Sequence, residues 1–211
     1  MFERVIEMLQ PDRYPCRLIN SEIIPGFYDE VWNQAPAAGL VDVVTGGEPL
    51  LPTVFQWLRN DRLGCFFIRF EGKAPERRST FRLHDEPLWK QDVFELFLCD
   101  EGRIDAYKEM QSSPWDVRFD GRISYDEKGR RHLDMSWDAM GWTTRTGFDK
   151  DSGRLISIWT LPYGALENKP KSGSSWRFGV FRVAGEELQA WQMTGAANFH
   201  VPERFGYLDF E

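Results

Sequence analysis

The most apolar strand-like stretch of the chain reads Val93-Phe94-Glu95-Leu96-Phe97-Leu98-Cys99. A short apolar run of this kind is typical of a β-strand that is covered on both faces. Because side chains alternate between the two faces of a strand, Glu95 shares its face with three apolar neighbours. A buried carboxylate is costly without hydrogen-bond donors. Glu95 therefore either faces solvent or a ligand at the open end of the strand, or pairs with an arginine inside the fold.

Strand-like runs and polar turns account for most of the remaining sequence. Eight further runs are strand candidates: residues 54–58, 65–70, 115–124, 133–137, 142–148, 155–161, 176–183 and 207–210. Two polar turns, residues 126–129 and 149–153, each lie between two of these runs, as expected for β-hairpins. Strands at roughly ten-residue spacing with polar turns predict an all-β fold, a β-sandwich or jelly roll of two antiparallel sheets.

Composition restricts the classes of function. The chain has 211 residues and a formal net charge of −7, with 42% hydrophobic and 28% charged residues, as is ordinary for one soluble domain. The acidic balance disfavours nucleic-acid partners, which require a basic face, and no apolar stretch is long enough to predict a membrane span. Nine Trp and 16 Phe indicate either a heavily aromatic core or a surface on which ligands stack.

The N-terminal residues 1–13 are predicted to form an extension to a single domain of residues 14–211. Four apolar residues before Pro11 recur at helical spacing and favour a short helix: Phe2, Val5, Ile6 and Leu9. Acidic residues interrupt what would be the apolar core of a signal peptide. The chain as written is therefore expected to be cytoplasmic, and secreted if a leader was removed.

Most signatures of catalysis and metal binding are missing from the sequence. The three cysteines are far apart, and the three histidines show no metal-ligand spacing. There is no nucleophile elbow, phosphate loop or dinucleotide fingerprint. Asp149, Asp151 and Gly153 begin like a calcium loop, but the closing ligands are absent and a hairpin turn explains them equally well. Carboxylates are plentiful, so composition alone does not rule out a pair of catalytic carboxyl groups like that of a glycosidase.

Two segments carry groups suited to a ligand. Trp89 precedes the apolar strand by a few residues, and Asp92 and Glu95 follow it. An indole near a carboxylate suits a sugar, because the ring stacks on the C–H face while the carboxylate accepts from hydroxyls. The alternative is a core Trp with a structural salt bridge. Residues 198–200 combine an amide, a phenyl ring and an imidazole, which either line a pocket or seal the sandwich as a lid.

Seven segments, in this order along the chain, resemble the motifs of a known family. They are IIPG (23–26) with VWNQAP (31–36), VFQW (54–57) with RLGCFFIRF (62–70), WKQDVFELFL (89–98), YKEMQSSP (107–114), IWTLP (158–162), WRFGVFR (176–182) and FHVPERFG (199–206). Their order over residues 14–210 is similar to that of family 9 carbohydrate-binding modules, in the short stand-alone branch found in bacteria. The chain also resembles the members of this family that are attached to xylanases.

The resemblance implies a β-sandwich that binds sugars through two aromatic rings, in the best-known members at chain ends. Trp89 matches one ring, and Glu95 matches an acidic residue that accepts hydrogen bonds from sugar hydroxyls. Phe199 lies nearest to the second ring, where the xylanase-attached members carry Trp. Those members carry Arg near the position of Glu109, so the charge is reversed here. The family's calcium would need an acidic residue where this chain has Pro25, so the residues do not support a metal.

We therefore predict non-catalytic saccharide binding, with a mono- or oligosaccharide as partner and no cofactor. The predicted ligand-binding residues are an aromatic platform, carboxylates and polar neighbours: Trp89, Asp92, Glu95, Glu109, Asn198, Phe199 and His200. No catalytic residue is assigned. Two alternatives stay open, namely a protein-interaction or structural β-sandwich that has lost the sugar site, and a glycoside hydrolase.

Overall fold

Strands dominate the computed structural model, which describes residues 11–74 and 79–211. Within these residues the strands are β1 (Arg13–Leu18), β2 (Ala38–Gly39), β3 (Val41–Asp42), β4 (Thr53–Asn60), β5 (Cys65–Lys73), β6 (Val93–Cys99), β7 (Ala106–Ser112), β8 (Arg118–Tyr125), β9 (Arg131–Asp134), β10 (Thr143–Asp149), β11 (Arg154–Pro162), β12 (Ser175–Ala184), β13 (Glu187–Ala190) and β14 (Gly206–Phe210). Short 3₁₀ helices span Glu30–Gln34, Leu88–Lys90, Tyr163–Ala165 and Pro202–Arg204. None of the described helices has the length and apolar character needed to cross a bilayer. The predicted N-terminal helix, built on residues 2–9, lies outside the described residues.

β6 occupies the apolar run with the bounds that the sequence pattern predicts. All seven of its residues are buried. Phe94 and Leu96 join a central core, whereas Val93 and Phe97 join a second apolar cluster on the opposite face. The prediction of a strand covered on both faces is confirmed, and Glu95 lies on the face of the second cluster.

Two β-layers face each other across the central core. One layer has the order β10-β11-β5-β4, with β2 on β4, and the other has the order β14-β12-β6-β7-β8-β9, with β13 on β12 and β3 on β13. Phe70 of β5 stacks on Phe94 of β6 with ring centroids 5.0 Å apart. Trp57 of β4 meets Phe178 of β12 edge-on at 5.4 Å. The predicted all-β sandwich is confirmed, and part of the aromatic excess fills its centre.

β1 joins the two layers into one continuous sheet. It pairs in parallel with β14 through residues 13–16 and with β4 through Arg17 and Leu18. The other pairings recorded for the described strands are antiparallel. The expectation of two antiparallel sheets therefore holds except at β1. No hairpin links β1 to either partner, so no tight turn imposes an antiparallel direction on it.

Both predicted hairpin turns are present. They connect β8 to β9 and β10 to β11, and each of these strand pairs is antiparallel. Gly129 and Gly153 have φ angles of 71° and 66°, in the left-handed region that a side chain disfavours. β9 is shorter and earlier than the predicted residues 133–137, because pairing with β8 resumes directly after the turn.

Candidate functional site

A pocket of about 300 Å³ lies on the face of the second layer that points away from the central core. β6, β7, β8, β9, β12 and β13 supply part of its lining, and the 3₁₀ helix Leu88–Lys90 and the loop after β13 supply the rest. We call it the Trp89 pocket, and its lining residues are Trp89, Glu95, Glu109, Phe119, Ile123, Arg131, Leu133, Val183, Leu188, Ala197, Asn198, Phe199 and His200.

Six of the seven residues predicted to bind ligand line the Trp89 pocket. They come from three separate segments: Trp89 and Glu95, then Glu109, then Asn198, Phe199 and His200. Pairing of β6 with β7 brings the first two segments together, and the loop that follows β13 brings the third. The seventh residue, Asp92, is not among the lining residues.

Trp89 lies in the middle of the 3₁₀ helix Leu88–Lys90. Leu88 is fully buried and anchors this helix, whereas the Trp89 side chain is 42% exposed. The indole packs against Phe119 of β8, with ring centroids 5.3 Å apart and an interplanar angle of 74°. This edge-to-face contact supports the indole from the sheet side and leaves ring surface open at the pocket.

Two carboxyl groups lie side by side in the pocket wall. Glu95 of β6 and Glu109 of β7 are both buried, and Glu95 is only 1% exposed. The Nε2 atom of Gln111 lies 2.6 Å from Oε1 of Glu109 and 3.4 Å from Oε2 of Glu95, so one amide contacts both carboxyl groups. The second oxygen of Glu95, Oε1, has no hydrogen-bond partner among the described residues. Glu95 thus faces a second acid rather than an internal arginine.

Burial raises the pKa of both carboxyl groups. Loss of hydration is the largest cause of the raised pKa of Glu95, and the charge of Glu109 adds to it. Burial raises the pKa of Glu109 to about 7, although Gln111 and Arg131 favour its charged form. Because adjacent like charges oppose each other, we expect the pair to retain a proton near neutral pH.

His200 borders the pocket beside Glu109 as a neutral imidazole. Its ring stacks on Phe97 at 4.9 Å, and its Nδ1 lies 2.7 Å from the Tyr107 hydroxyl. Burial, with the charge of Arg131, lowers the pKa of His200 to about 3. When the Tyr107 hydroxyl donates to Nδ1, the proton of the ring resides on Nε2, which lies 4.0 Å from Oε2 of Glu109. The imidazole can then donate toward an acceptor near that carboxyl group.

The loop after β13 turns Phe199 inward. Its ring is 8% exposed and stacks on Phe181 of β12, with centroids 4.7 Å apart and an interplanar angle of 19°. Asn198 stays exposed, and its Oδ1 accepts the backbone N–H of His200 at 3.0 Å. Phe199 therefore seals the second apolar cluster, as the lid alternative describes. The resemblance implies that Phe199 is a second open platform for a sugar ring. This prediction is corrected, because Phe181 stacks on a face of the Phe199 ring.

Asp92 faces the interior instead of the pocket. Asp92 lies two positions before Phe94 and three positions before Glu95, so its side chain shares the face of Phe94 and points to the central-core side of the strand. Its Oδ1 lies 3.6 Å from Nη2 of Arg182, a buried residue of β12. The prediction that Asp92 accepts hydrogen bonds from a ligand is therefore corrected: its carboxylate balances the charge of an internal guanidinium. Burial raises the pKa of Asp92 to about 6, against the influence of Arg182.

Sequence reasoning missed several lining residues. Arg131 and Leu133 belong to β9, and Phe119 and Ile123 belong to β8. The spacing of Phe119 and Ile123 places both on one face of their strand, which was a usable signal. Nothing local in the sequence shows that this face borders Trp89, so the pairing of β7, β8 and β9 is needed to find these residues.

Two groups of residues carry side chains of the kind that bind metals. His84, Asp120 and Asp138 place ligand atoms within 4.8 Å of one another, among the residues that the structure describes. One oxygen of Asp120 lies 2.9 Å from Nε2 of His84, and the other accepts a backbone N–H. In the calcium-like stretch, Asp149 accepts the backbone N–H of Asp151 at 3.0 Å, as in an ordinary turn. Because Asp120 and Asp149 already accept hydrogen bonds within the fold, we assign a metal role to neither group.

Comparison with solved structures finds proteins that share the fold of this chain, including carbohydrate-binding modules. No family model matches the chain, and no curated protein sequence matches it. A crystal structure from Bacteroides uniformis ATCC 8492, described as a candidate carbohydrate-binding protein, is similar to it with a TM-score of 0.74. The two chains are 15% identical, and the match covers 96% of this chain and 100% of the other.

A family 9 carbohydrate-binding module from Caldicellulosiruptor kristjanssonii has the same fold. Its complex with glucose matches with a TM-score of 0.63 at 16% identity, covering 95% of this chain and 96% of the module. Its complex with cellotriose matches with a TM-score of 0.61 at 16% identity, covering 95% of this chain and 94% of the module. The chain thus has the β-sandwich fold of family 9 carbohydrate-binding modules, which confirms the resemblance at the level of the fold.

Proposed function

We propose that the protein binds a saccharide in the Trp89 pocket and does not transform it. One observation carries the proposal: a half-exposed indole stands at a pocket whose wall contains buried carboxyl groups. The indole offers an apolar surface to the C–H face of a sugar ring. Glu95 and Glu109 offer acceptors to its hydroxyls, and the His200 imidazole offers a donor. A few convergent polar groups on a mainly apolar wall are what small-ligand sites require.

The similar structures support carbohydrate as the ligand class to test first. The Caldicellulosiruptor kristjanssonii module forms complexes with glucose and cellotriose. The pocket of this chain, at about 300 Å³, is at the small end of ligand sites, which favours a short saccharide or the end of a chain.

The arrangement of the two acids favours binding over hydrolysis. In a glycoside hydrolase the two carboxyl groups flank the scissile bond, since one protonates the leaving oxygen while the other acts at the sugar carbon. Glu95 and Glu109 instead project from neighbouring strands on the same face and contact the amide of Gln111 together. A glycosidic bond placed against this wall meets both acids from the same side.

The pocket also favours a small ligand over a protein partner. Protein-interaction surfaces are usually broad apolar patches. Here the apolar ring of Trp89 borders a concavity into which carboxyl groups converge. A loss of the sugar site would leave these buried acids without a use, although they cost stability.

Titration of the wild type and two Trp variants tests the proposal. We expect Trp89→Ala to weaken binding of cellobiose, glucose or xylobiose about tenfold or more, if a sugar stack is comparable to the roughly 1–3 kcal/mol of a base stacked on an aromatic side chain. Calorimetry measures the affinity, and chromatography of the same mixtures checks that the sugar stays intact.

Trp115→Ala is the matched control. Trp115 is 46% exposed, similar to Trp89, but does not line the pocket, and its indole N–H donates to the carbonyl of Ser79 at 2.7 Å. We expect this variant to bind like the wild type. Equal affinities for the two Trp variants, or no binding of any saccharide by the wild type, would contradict the proposed function.

A further inference from the structure

We propose that the Trp89 pocket selects saccharides that carry a primary ammonium group, such as unacetylated amino sugars, over their neutral counterparts. The inference rests on the proposed function and adds the charge of the ligand to it. The geometry behind it is the pair of buried carboxyl groups, Glu95 and Glu109, which line the pocket beside an indole.

The first step is the shortage of donors at this pair. Gln111 supplies one amide nitrogen to the two carboxyl groups, at 2.6 Å from Glu109 and 3.4 Å from Glu95. Oε1 of Glu95 is left without a hydrogen-bond partner among the described residues, in a side chain that is 1% exposed. A buried carboxylate oxygen without a donor costs free energy that a ligand can recover by donating to it.

The second step is the balance of charge around the pocket. Arg131 is the single cationic residue in the described lining, and it belongs to β9, whose residues are exposed to solvent. His200 is neutral, because burial lowers its pKa to about 3. In the free protein the pair of acids retains a proton near neutral pH, and an ammonium group that contacts both carboxyl groups displaces this proton into solvent. With both acids then ionised, the lining carries an excess of one negative charge, and water weakens the contribution of the exposed Arg131.

The third step is the match to an ammonium group. A primary ammonium brings three donors and one positive charge, so it can contact both carboxyl groups at once. Hydrogen bonds between charged partners are about twice as strong as neutral ones. The neighbouring indole also attracts a cation through its ring face. A hydroxyl in the same place donates one hydrogen bond and brings no positive charge to balance a second ionised acid.

Three β-1,4-linked disaccharides provide a direct test, since they differ only at carbon 2. Cellobiose carries a hydroxyl there, the glucosamine dimer carries an ammonium, and the N-acetylglucosamine dimer carries a neutral amide. In calorimetric titrations near pH 7, close to the pKa of about 7 of Glu109, we expect the glucosamine dimer to bind at least tenfold more tightly than the other two. Trp89→Ala should weaken its binding, which separates the pocket from unspecific attraction to an acidic protein.

Two matched variants locate the preference. Glu109→Gln removes one pocket charge, and we expect it to bring the affinities for the glucosamine dimer and cellobiose within about threefold of each other. Glu30→Gln removes a similar charge from an exposed position in the 3₁₀ helix that packs on the other layer, and should preserve the preference. Cellobiose binding as tightly as the glucosamine dimer in the wild type would overturn the inference and leave the proposed function standing. Failure of all three disaccharides to bind would overturn both.

Discussion

Glu109 loses most of its hydration when β7 pairs with β6, and it lies next to another acid. Its pKa is raised to about 7, chiefly by burial. The folded protein therefore holds the proton of Glu109 more tightly than the unfolded chain does. The stability that this proton contributes is complete below about pH 4.5, the usual pKa of the group, and is lost as the pH rises through 7. A residue that suits a cationic ligand thus weakens the free protein at neutral and alkaline pH.

We expect Glu109→Gln to be more stable than the wild type at about pH 8, by up to about 3 kcal/mol, and to differ little from it at about pH 4.5. The neutral amide has no charge to desolvate and keeps the shape of the side chain. Urea unfolding at a series of pH values measures the difference. His200 titrates in both proteins, so its contribution cancels. A difference that stays constant across this range would show that Glu109 ionises normally in the fold.

At the scale of elements, the loop between β13 and β14 is irregular but tied down. The Thr194 hydroxyl lies 2.8 and 2.9 Å from the carbonyl oxygens of Ala196 and Asn198. The backbone N–H of Thr194 donates to the carbonyl of Val43 at 2.9 Å. Phe199 then inserts beside Phe181 in the second apolar cluster. These anchors hold Asn198 and His200 at the pocket although no strand or helix carries them.

Phe199→Ala tests whether this ring anchors the loop. A buried Phe replaced by Ala leaves a cavity, so we expect the free energy of unfolding to fall by about 3 kcal/mol. Leu50→Ala, at a side chain that is 85% exposed, should change it by less than about 0.5 kcal/mol. Chemical denaturation compares the two variants with the wild type. A Phe199 variant as stable as the Leu50 variant would mean that the ring is not packed as described.

At the scale of the whole molecule, one buried arginine links the two layers. Arg182 of β12 donates to the Thr53 hydroxyl of β4 and to the carbonyl of Lys73 of β5, both at 2.8 Å. Its guanidinium also lies over the ring of Phe94, 4.8 Å from the centroid. Asp92 is the acid that faces this guanidinium. The ion pair of Asp92 and Arg182 therefore lies where the two layers are linked, not in the Trp89 pocket.

We expect Asp92→Asn to be more stable than the wild type at about pH 8, by up to about 3 kcal/mol, because burying the Asp92 charge costs more than Arg182 returns, as its raised pKa of about 6 indicates. Saccharide affinity should change by less than about twofold, since Asp92 points away from the pocket. Unfolding curves and calorimetric titrations of the same preparation give the two values. Normal stability together with weakened binding would restore Asp92 to the ligand site.

Much of the fold is visible in local patterns. The short apolar run of residues 93–99 predicts β6 and its two covered faces, and the polar turns predict two hairpins. The start of β9 and the parallel pairing of β1 are not visible, because register and strand direction depend on partners far away in the chain. The two-residue period also placed Glu95 among apolar side chains, which marked it as unusual before any partner was known.

The candidate site is only partly encoded in such patterns. The residue types suited to a saccharide, an indole and carboxyl groups, can be read from the chain, because side-chain chemistry belongs to each residue alone. Packing decides whether these side chains meet. Glu95 lies beside Glu109 because β6 pairs with β7, and Phe199 turns inward because it stacks on Phe181. Asp92 lies beside Arg182 because it projects from the other side of the strand. Local periodicity sets the face on which a side chain lies, whereas its neighbours, its hydration and hence its charge arise only when distant strands come together.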